Sequence, residues 1–197
     1  VGERPLGLDA ADFDNDGDMD LAVAARDGNT VHVLTNGGGS FANATLAAGA
    51  EPRKTTFGDF DGDGDLDLAV TNHDDRTIGI YSNTGAGFAN TATLPVGGIF
   101  RPEGIDAMDL DGDGDADLVV GLGDQAVANV IGVFTAQGGV FSGPVTFPTG
   151  GLDSGQVILA DLDCDGFIDA IVSNADSGTV SILPGLTATT FGTPMIM

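Results

Sequence analysis

Cysteine occurs once, at Cys164, so an intrachain disulfide and a cysteine-built zinc cluster are both excluded. Tryptophan is absent and tyrosine occurs once, at Tyr81, which leaves few of the rings on which sugars usually stack. Cations are scarce: 6 Lys and Arg stand against 30 Asp and Glu, a net charge of −24. A surface this acidic repels phosphate backbones and anionic head groups, so neither a nucleic-acid partner nor membrane insertion is expected. No run of 18 apolar residues exists to span a bilayer as a helix. Glutamate is rare as well, confined to Glu3, Glu51 and Glu103.

Aspartate and glycine are abundant instead. The chain of 197 residues, expected to form one repeat domain, has 27 Asp and 32 Gly. Short carboxylates favour turns and metal sites, and glycine favours tight turns. An apolar share of 42% and a mean hydropathy of +0.15 exclude a disordered acidic tail. The charge must therefore be gathered locally.

It is gathered in four segments that align without gaps: 12–20, 59–67, 109–117 and 161–169. Each is followed by a short apolar run, at Leu21–Ala24, Leu68–Thr71, Leu118–Gly121 and Ala170–Ser173. Runs of this length bounded by turn residues read as buried strands. A second strand is expected at Val31–Leu34, Thr77–Tyr81, Val130–Phe134 and Thr179–Leu183. A turn then leads to Phe41, Phe88, Phe141 and Phe191, which with Phe13 and Phe60 are expected in the core. Pro5, Pro52 and Pro102 each precede the next loop by seven residues, with Ser154 in the fourth copy. Each unit thus reads strand, Asp loop, strand, turn, strand, turn, strand. Repeats at 1–46, 47–95, 96–147 and 148–197 have the size of four-stranded β-propeller blades. The expected fold class is all-β: a propeller or propeller segment of four blades, with a Ca²⁺ loop in each.

The loop pattern D-x-D-x-D-G-x-x-D puts carboxylates at positions 1, 3, 5 and 9. Calcium takes six to eight hard oxygens at roughly 2.3–2.6 Å. Three alternating Asp side chains, a main-chain carbonyl at position 7 and a further Asp at 9 supply about that many. An EF-hand is excluded, because its position-12 Glu is replaced by Val23, Val70, Val120 and Val172. Magnesium competes poorly for an all-carboxylate cage.

These loops with their following strands, Asp59 to Val70 being the cleanest copy, resemble FG-GAP/VCBS repeats of integrin α-subunit propellers and many secreted bacterial proteins. The resemblance covers essentially the whole chain. It implies a Ca²⁺-bearing β-propeller with four Ca²⁺ sites here. The first site would use the side chains of Asp12, Asp14, Asp16 and Asp20 with the carbonyl of Asp18. The second would use Asp59, Asp61, Asp63 and Asp67 with the carbonyl of Asp65, and the third Asp109, Asp111, Asp113 and Asp117 with that of Asp115. The fourth would use Asp161, Asp163, Asp165 and Asp169 with the carbonyl of Phe167; there Cys164 fills position 4.

No carboxylate pair recurs outside the loops, and His32 and His73 read as isolated surface residues, so no enzyme is expected. The expected function is an extracellular, Ca²⁺-stabilised scaffold that mediates protein–protein adhesion or self-association through blade edges. A carbohydrate-binding propeller and an accessory domain of a larger secreted enzyme are the alternatives. Millimolar external Ca²⁺ is the reason to place it outside the cell or on its surface. Asn43-Ala44-Thr45 is a glycosylation sequon. The opening at Val1 suggests a processed product or a piece of a longer chain. The last residues, Phe191 to Met197, are expected midway through a link to a next loop.

Overall fold

The computed structural model describes residues 1–123 and 129–197, which are strand and turn without helix. The first sheet runs β1 (Pro5–Ala11), β2 (Asp20–Ala25), β3 (Thr30–Asn36) and β4 (Phe41–Ala47), in sequence order and antiparallel. The second repeats it with β5 (Pro52–Gly58), β6 (Asp67–Asn72), β7 (Thr77–Asn83) and β8 (Phe88–Pro95). The third has β9 (Arg101–Met108), β10 (Asp117–Gly123), β11 (Val130–Gln137) and β12 (Val140–Pro148). The fourth has β13 (Ser154–Ala160), β14 (Asp169–Asn174) and β15 (Thr179–Leu183). A two-stranded hairpin of β16 (Gly185–Thr187) and β17 (Thr190–Phe191) follows, and β18 (Met195–Ile196) closes the fourth sheet. The last residues thus lie in a sheet, with Ser181 opposite Ile196, where a bare link was expected.

The strand chemistry accounts for the order. Pro5 and Pro52 open β1 and β5, and Pro102 is second in β9. All three strands are sheet edges, where a missing N–H donor is tolerated. Each of the four edge strands breaks register just after this position, with two further residues before pairing resumes. The apolar runs predicted as buried strands become β2, β6, β10 and β14, each between two neighbours in its sheet.

The chain divides into two compact units. One comprises Val1–Asp59 and Asp63–Pro95, the other Phe60–Gly62 and Val96–Met197. In the first unit, Ala22, Val31 and Val33 of the first sheet pack against Phe57, Leu68, Val70 and Tyr81 of the second. Phe88 meets Phe13 edge to face at 5.1 Å. In the second unit, Val119, Ile131 and Val133 of the third sheet pack against Val157, Leu159, Ala170 and Val172 of the fourth. Phe191 joins that core beside Leu110, and Phe60 meets Phe141 at 5.6 Å. The core placement of the recurring phenylalanines fails at Phe41, which is 51% exposed. Phe88 and Phe141 each rest on the second residue of an Asp loop, Phe13 and Phe60 respectively, and among the described residues Phe41 has no such ring to rest on.

Both units use the same junction between their sheets. Asp9 accepts the Phe57 N–H at 3.0 Å, and Asp106 accepts the Leu159 N–H at 2.8 Å. Two residues earlier, a glycine lets the backbones close. A Cβ on Gly7 would lie 2.2 Å from the Arg53 carbonyl oxygen, and one on Gly104 would lie 2.4 Å from that of Gly155. Neither obstacle is a flexible side chain. Gly104→Ala is therefore expected to destabilise the protein by about 3 kcal/mol, at the upper end for overpacking. Urea unfolding measures it, and an unchanged midpoint would refute the close approach.

Candidate metal centre

Each Asp loop is folded by its own carboxylates. The position-5 Asp accepts the N–H of position 7 in all four: Asp16 from Asp18, Asp63 from Asp65, Asp113 from Asp115 and Asp165 from Phe167, at 2.8–3.0 Å. The position-1 Asp accepts the N–H of the position-6 glycine: Asp12 from Gly17, Asp59 from Gly64, Asp109 from Gly114 and Asp161 from Gly166, at 3.0–3.1 Å. Those glycines have φ of 90–101°, a left-handed conformation that side chains resist. Position 4 is left-handed too: Asn15, Gly62, Gly112 and Cys164 have φ of 60–79°. Cys164 adopts it without glycine's freedom, and its side chain is exposed.

The position-9 residues Asp20, Asp67, Asp117 and Asp169 are at most 4% exposed. One oxygen of each accepts a backbone N–H from the end of the third strand or just beyond: Asn36, Asn83, Ala136 and Gly185, at 2.7–2.8 Å. The other oxygen of Asp20, Asp117 and Asp169 accepts the N–H of loop position 2, from Phe13, Leu110 and Leu162. Position 9 therefore ties the loop to its own sheet, a role the sequence reading missed. A second missed role belongs to position 7. The Asp18 carboxylate accepts the Gly38 N–H at 2.8 Å, and Asp115 likewise accepts from Gly138.

Carboxylate oxygens nevertheless converge. Asp12, Asp14 and Asp20 each offer one oxygen within 4.8 Å of the others, as do Asp109, Asp111 and Asp117, and Asp161, Asp163 and Asp169. In the second loop the trio is Asp59, Asp61 and Asp63. Oxygens on a shell of 2.3–2.6 Å radius cannot lie farther apart than about 5 Å, so this spacing fits one calcium-sized cation per loop. Asp16, Asp113 and Asp165 at position 5, and Asp67 at position 9, stand outside these trios.

Electrostatics favour a cation as well. Burial, first, pushes the Asp117 carboxyl up to about 6; the Ala136 and Leu110 N–H groups oppose the shift, and Asp111 and Asp109 add to it. Asp14 is raised in the same direction, by desolvation and by Asp16, Asp20 and Asp12. A folded-state value above the unfolded one binds protons more tightly in the native protein. Its contribution to stability is present in full below about pH 4 and disappears as the pH rises through 6. The metal-free protein should melt at higher temperature at pH 5 than at pH 7. Asp117→Asn should reduce that difference, and an equal pH response in both proteins would contradict the assignment.

Among the described residues, one further cluster lies outside the Asp loops. His73 and His32 are both buried at 8% exposure, where a surface position was expected. His32 hydrogen-bonds the Asn43 side chain, and His73 lies 3.3 Å from Glu51 and 2.9 Å from Asp74. Arg26 and Arg53 also pair with Glu51, so this is an ion-pair network with its own cations.

Residues 12–70 and 59–120 match the family described as FG-GAP-like repeat. No curated protein matches the chain. Among solved structures, one described as "Structure of Dos1 propeller" aligns with 90% of this chain at a TM-score of 0.57 and 14% identity. The alignment spans 44% of that chain, and at this identity the likeness concerns the fold alone.

Proposed function

The chain belongs to the FG-GAP-like repeat family, and on that premise we propose that it is an extracellular, Ca²⁺-stabilised β-propeller scaffold that binds proteins or its own copies and carries no catalytic site. The observation that supports this most is that three carboxylates converge within 4.8 Å in each of four equivalent loops, from positions 1, 3 and 9 in three of them and from positions 1, 3 and 5 in the second. Asp12, Asp14 and Asp20 would hold the first ion; Asp59, Asp61 and Asp63 the second; Asp109, Asp111 and Asp117 the third; Asp161, Asp163 and Asp169 the fourth. The carboxylates of Asp16, Asp113, Asp165 and Asp67 and the position-7 carbonyls are the remaining oxygens that the sequence pattern supplies. The metal would neutralise each loop and lock it against its sheet. Millimolar calcium outside the cell suits such a staple.

A glycan-binding reading has one observation of its own. A cleft of about 410 Å³ in the first unit has Phe13, Val33, Leu46 and Phe88 as apolar walls and Asp14 and Asp65 among its polar lining. That size suits a single sugar. A glycan array probed in 1 mM Ca²⁺ separates the readings. The scaffold reading expects no retention. Retention that Phe88→Ala abolishes would assign the cleft to sugar.

A further inference from the structure

The cleft in the first unit lies between two consecutive sheets, and every residue that lines it belongs to that unit. Its walls are of two kinds. Phe13 and Phe88, edge to face at 5.1 Å, stand beside Val33 and Leu46, while Asp14 and Asp65 bring carboxylates. Among the described residues, no lysine, arginine or histidine lines it.

The matching contact in the second unit differs at two positions. Leu46 stands opposite Val31, and the equivalent residue, opposite Ile131, is Phe147. Phe147 meets Phe191 edge to face at 5.5 Å, whereas Leu46 brings no ring to Phe88 and lines open space instead. The other position is the seventh of the loop, which is Phe167 in the fourth loop and Asp65 here.

Asp65 also differs from its carboxylate counterparts. Asp18 and Asp115 each accept the N–H of a turn glycine, Gly38 and Gly138. The matching Gly85 N–H goes to the Asn83 side chain at 3.0 Å. Among the described residues, the half-buried Asp65 carboxylate accepts no hydrogen bond and pairs with no cation. A carboxylate withdrawn from water in this way favours a cationic partner.

We propose that this cleft takes a lysine side chain of a protein partner, its four-carbon stem against Val33, Leu46 and the two phenylalanine rings and its ammonium at Asp65. The inference rests on the reading of the chain as a protein-binding scaffold, and supplies one site and the chemistry it recognises. The occupant follows from the lining. An apolar stem with a cationic tip matches apolar walls that carry carboxylates, and ring faces attract an ammonium. An anion would meet Asp14 and Asp65 with no cation in the lining to offset them. Calcium in the first loop does not reverse this, because the five carboxylates of that loop outweigh one divalent ion.

The test is nitrogen-15 correlation NMR of the whole chain in 1 mM Ca²⁺, titrated with the peptide Ac-Ala-Lys-Ala-NH₂ and with its norleucine counterpart, which keeps the stem and lacks the charge. The lysine peptide should shift the amides of Asp65, Gly85 and Phe88 saturably. The norleucine peptide should bind at least about tenfold more weakly, the loss expected of one charged partner. Asp65→Asn should weaken the lysine peptide by about tenfold as well. That variant should keep the wild-type melting temperature in Ca²⁺, since the replaced carboxylate accepts no hydrogen bond and the main-chain carbonyl stays. Leu46→Phe, which gives the cleft the ring that Phe147 supplies in the second unit, should abolish binding. Equal affinity for the two peptides would overturn the proposal and point to a neutral occupant such as a sugar. Absence of saturable shifts would overturn it too, as would binding that Asp65→Asn or Leu46→Phe leaves unchanged. Melting of the same samples in EGTA keeps the two readings apart. Melting that depends on Ca²⁺, without lysine binding, would leave the metal scaffold standing and remove only this site.

Discussion

Replacing Asp20 by alanine should destabilise the protein by about 3–5 kcal/mol. The carboxylate is fully buried and accepts the Phe13 N–H at 3.2 Å and the Asn36 N–H at 2.7 Å. A hydrogen bond to a charged acceptor contributes roughly 1.5–3 kcal/mol, and a buried donor left without a partner costs about 1–3 kcal/mol. Alanine removes the acceptor for both donors at once. For a chain of this length the loss corresponds to a fall in Tm of roughly 6–20 °C. Asp20→Asn should lose about half as much, since its amide oxygen can still serve Asn36 while its NH₂ faces the Phe13 donor. Asp18→Ala should cost under about 1 kcal/mol, because its one bond, to Gly38, lies at an exposed turn. The Asp20→Ala loss must persist in EGTA. If it vanished there, the carboxylate would act only through metal, and its two backbone bonds would contribute nothing.

Calcium removal should have a larger effect still. Each trio places carboxylate oxygens within 4.8 Å of one another. At an effective dielectric constant near 20, two unit charges at that distance repel by roughly 3 kcal/mol. A cation that binds only the folded loop removes this repulsion and adds RT ln(1 + [L]/Kd). At a hundredfold excess over Kd that is about 2.7 kcal/mol per site. Four sites together approach about 11 kcal/mol, or a fall in Tm of roughly 20–40 °C when EGTA replaces millimolar Ca²⁺. Magnesium should restore only part of it, because it needs a tight octahedron and sheds water reluctantly. Identical melting curves in Ca²⁺ and EGTA would leave the loops as hydrogen-bonded turns.

Much of this was legible in the sequence because the signals are local. The aspartate register and the position-6 glycine lie within nine residues, and the apolar runs that follow become β2, β6, β10 and β14. Roles that depend on residues far along the chain were not legible. The donors to Asp20, Asp67 and Asp169 come 16 residues later and the donor to Asp117 comes 19 later, from backbone N–H groups that carry no residue signature. The cap from Asp18 to Gly38 lies 20 residues away. Phe41 misled because its spacing equals that of Phe88, yet burial depends on what the sheet packs against. His73 misled for a related reason, since Glu51, 22 residues earlier, supplies part of its ionic surroundings. At the end of the chain, Pro184 and Gly192 flank an extra hairpin that opens on Gly185, and the outer strand moves to Met195–Ile196.

We propose that the four loops each hold one calcium ion. Equilibrium dialysis against ⁴⁵Ca²⁺ in Mg²⁺-containing buffer tests it most directly. Four ions per wild-type chain are predicted, and three for Asp163→Ala, which removes one carboxylate of the fourth trio and leaves its fold-forming Asp169 in place. Binding of less than one ion per chain, or a count that Asp163→Ala does not change, would contradict it.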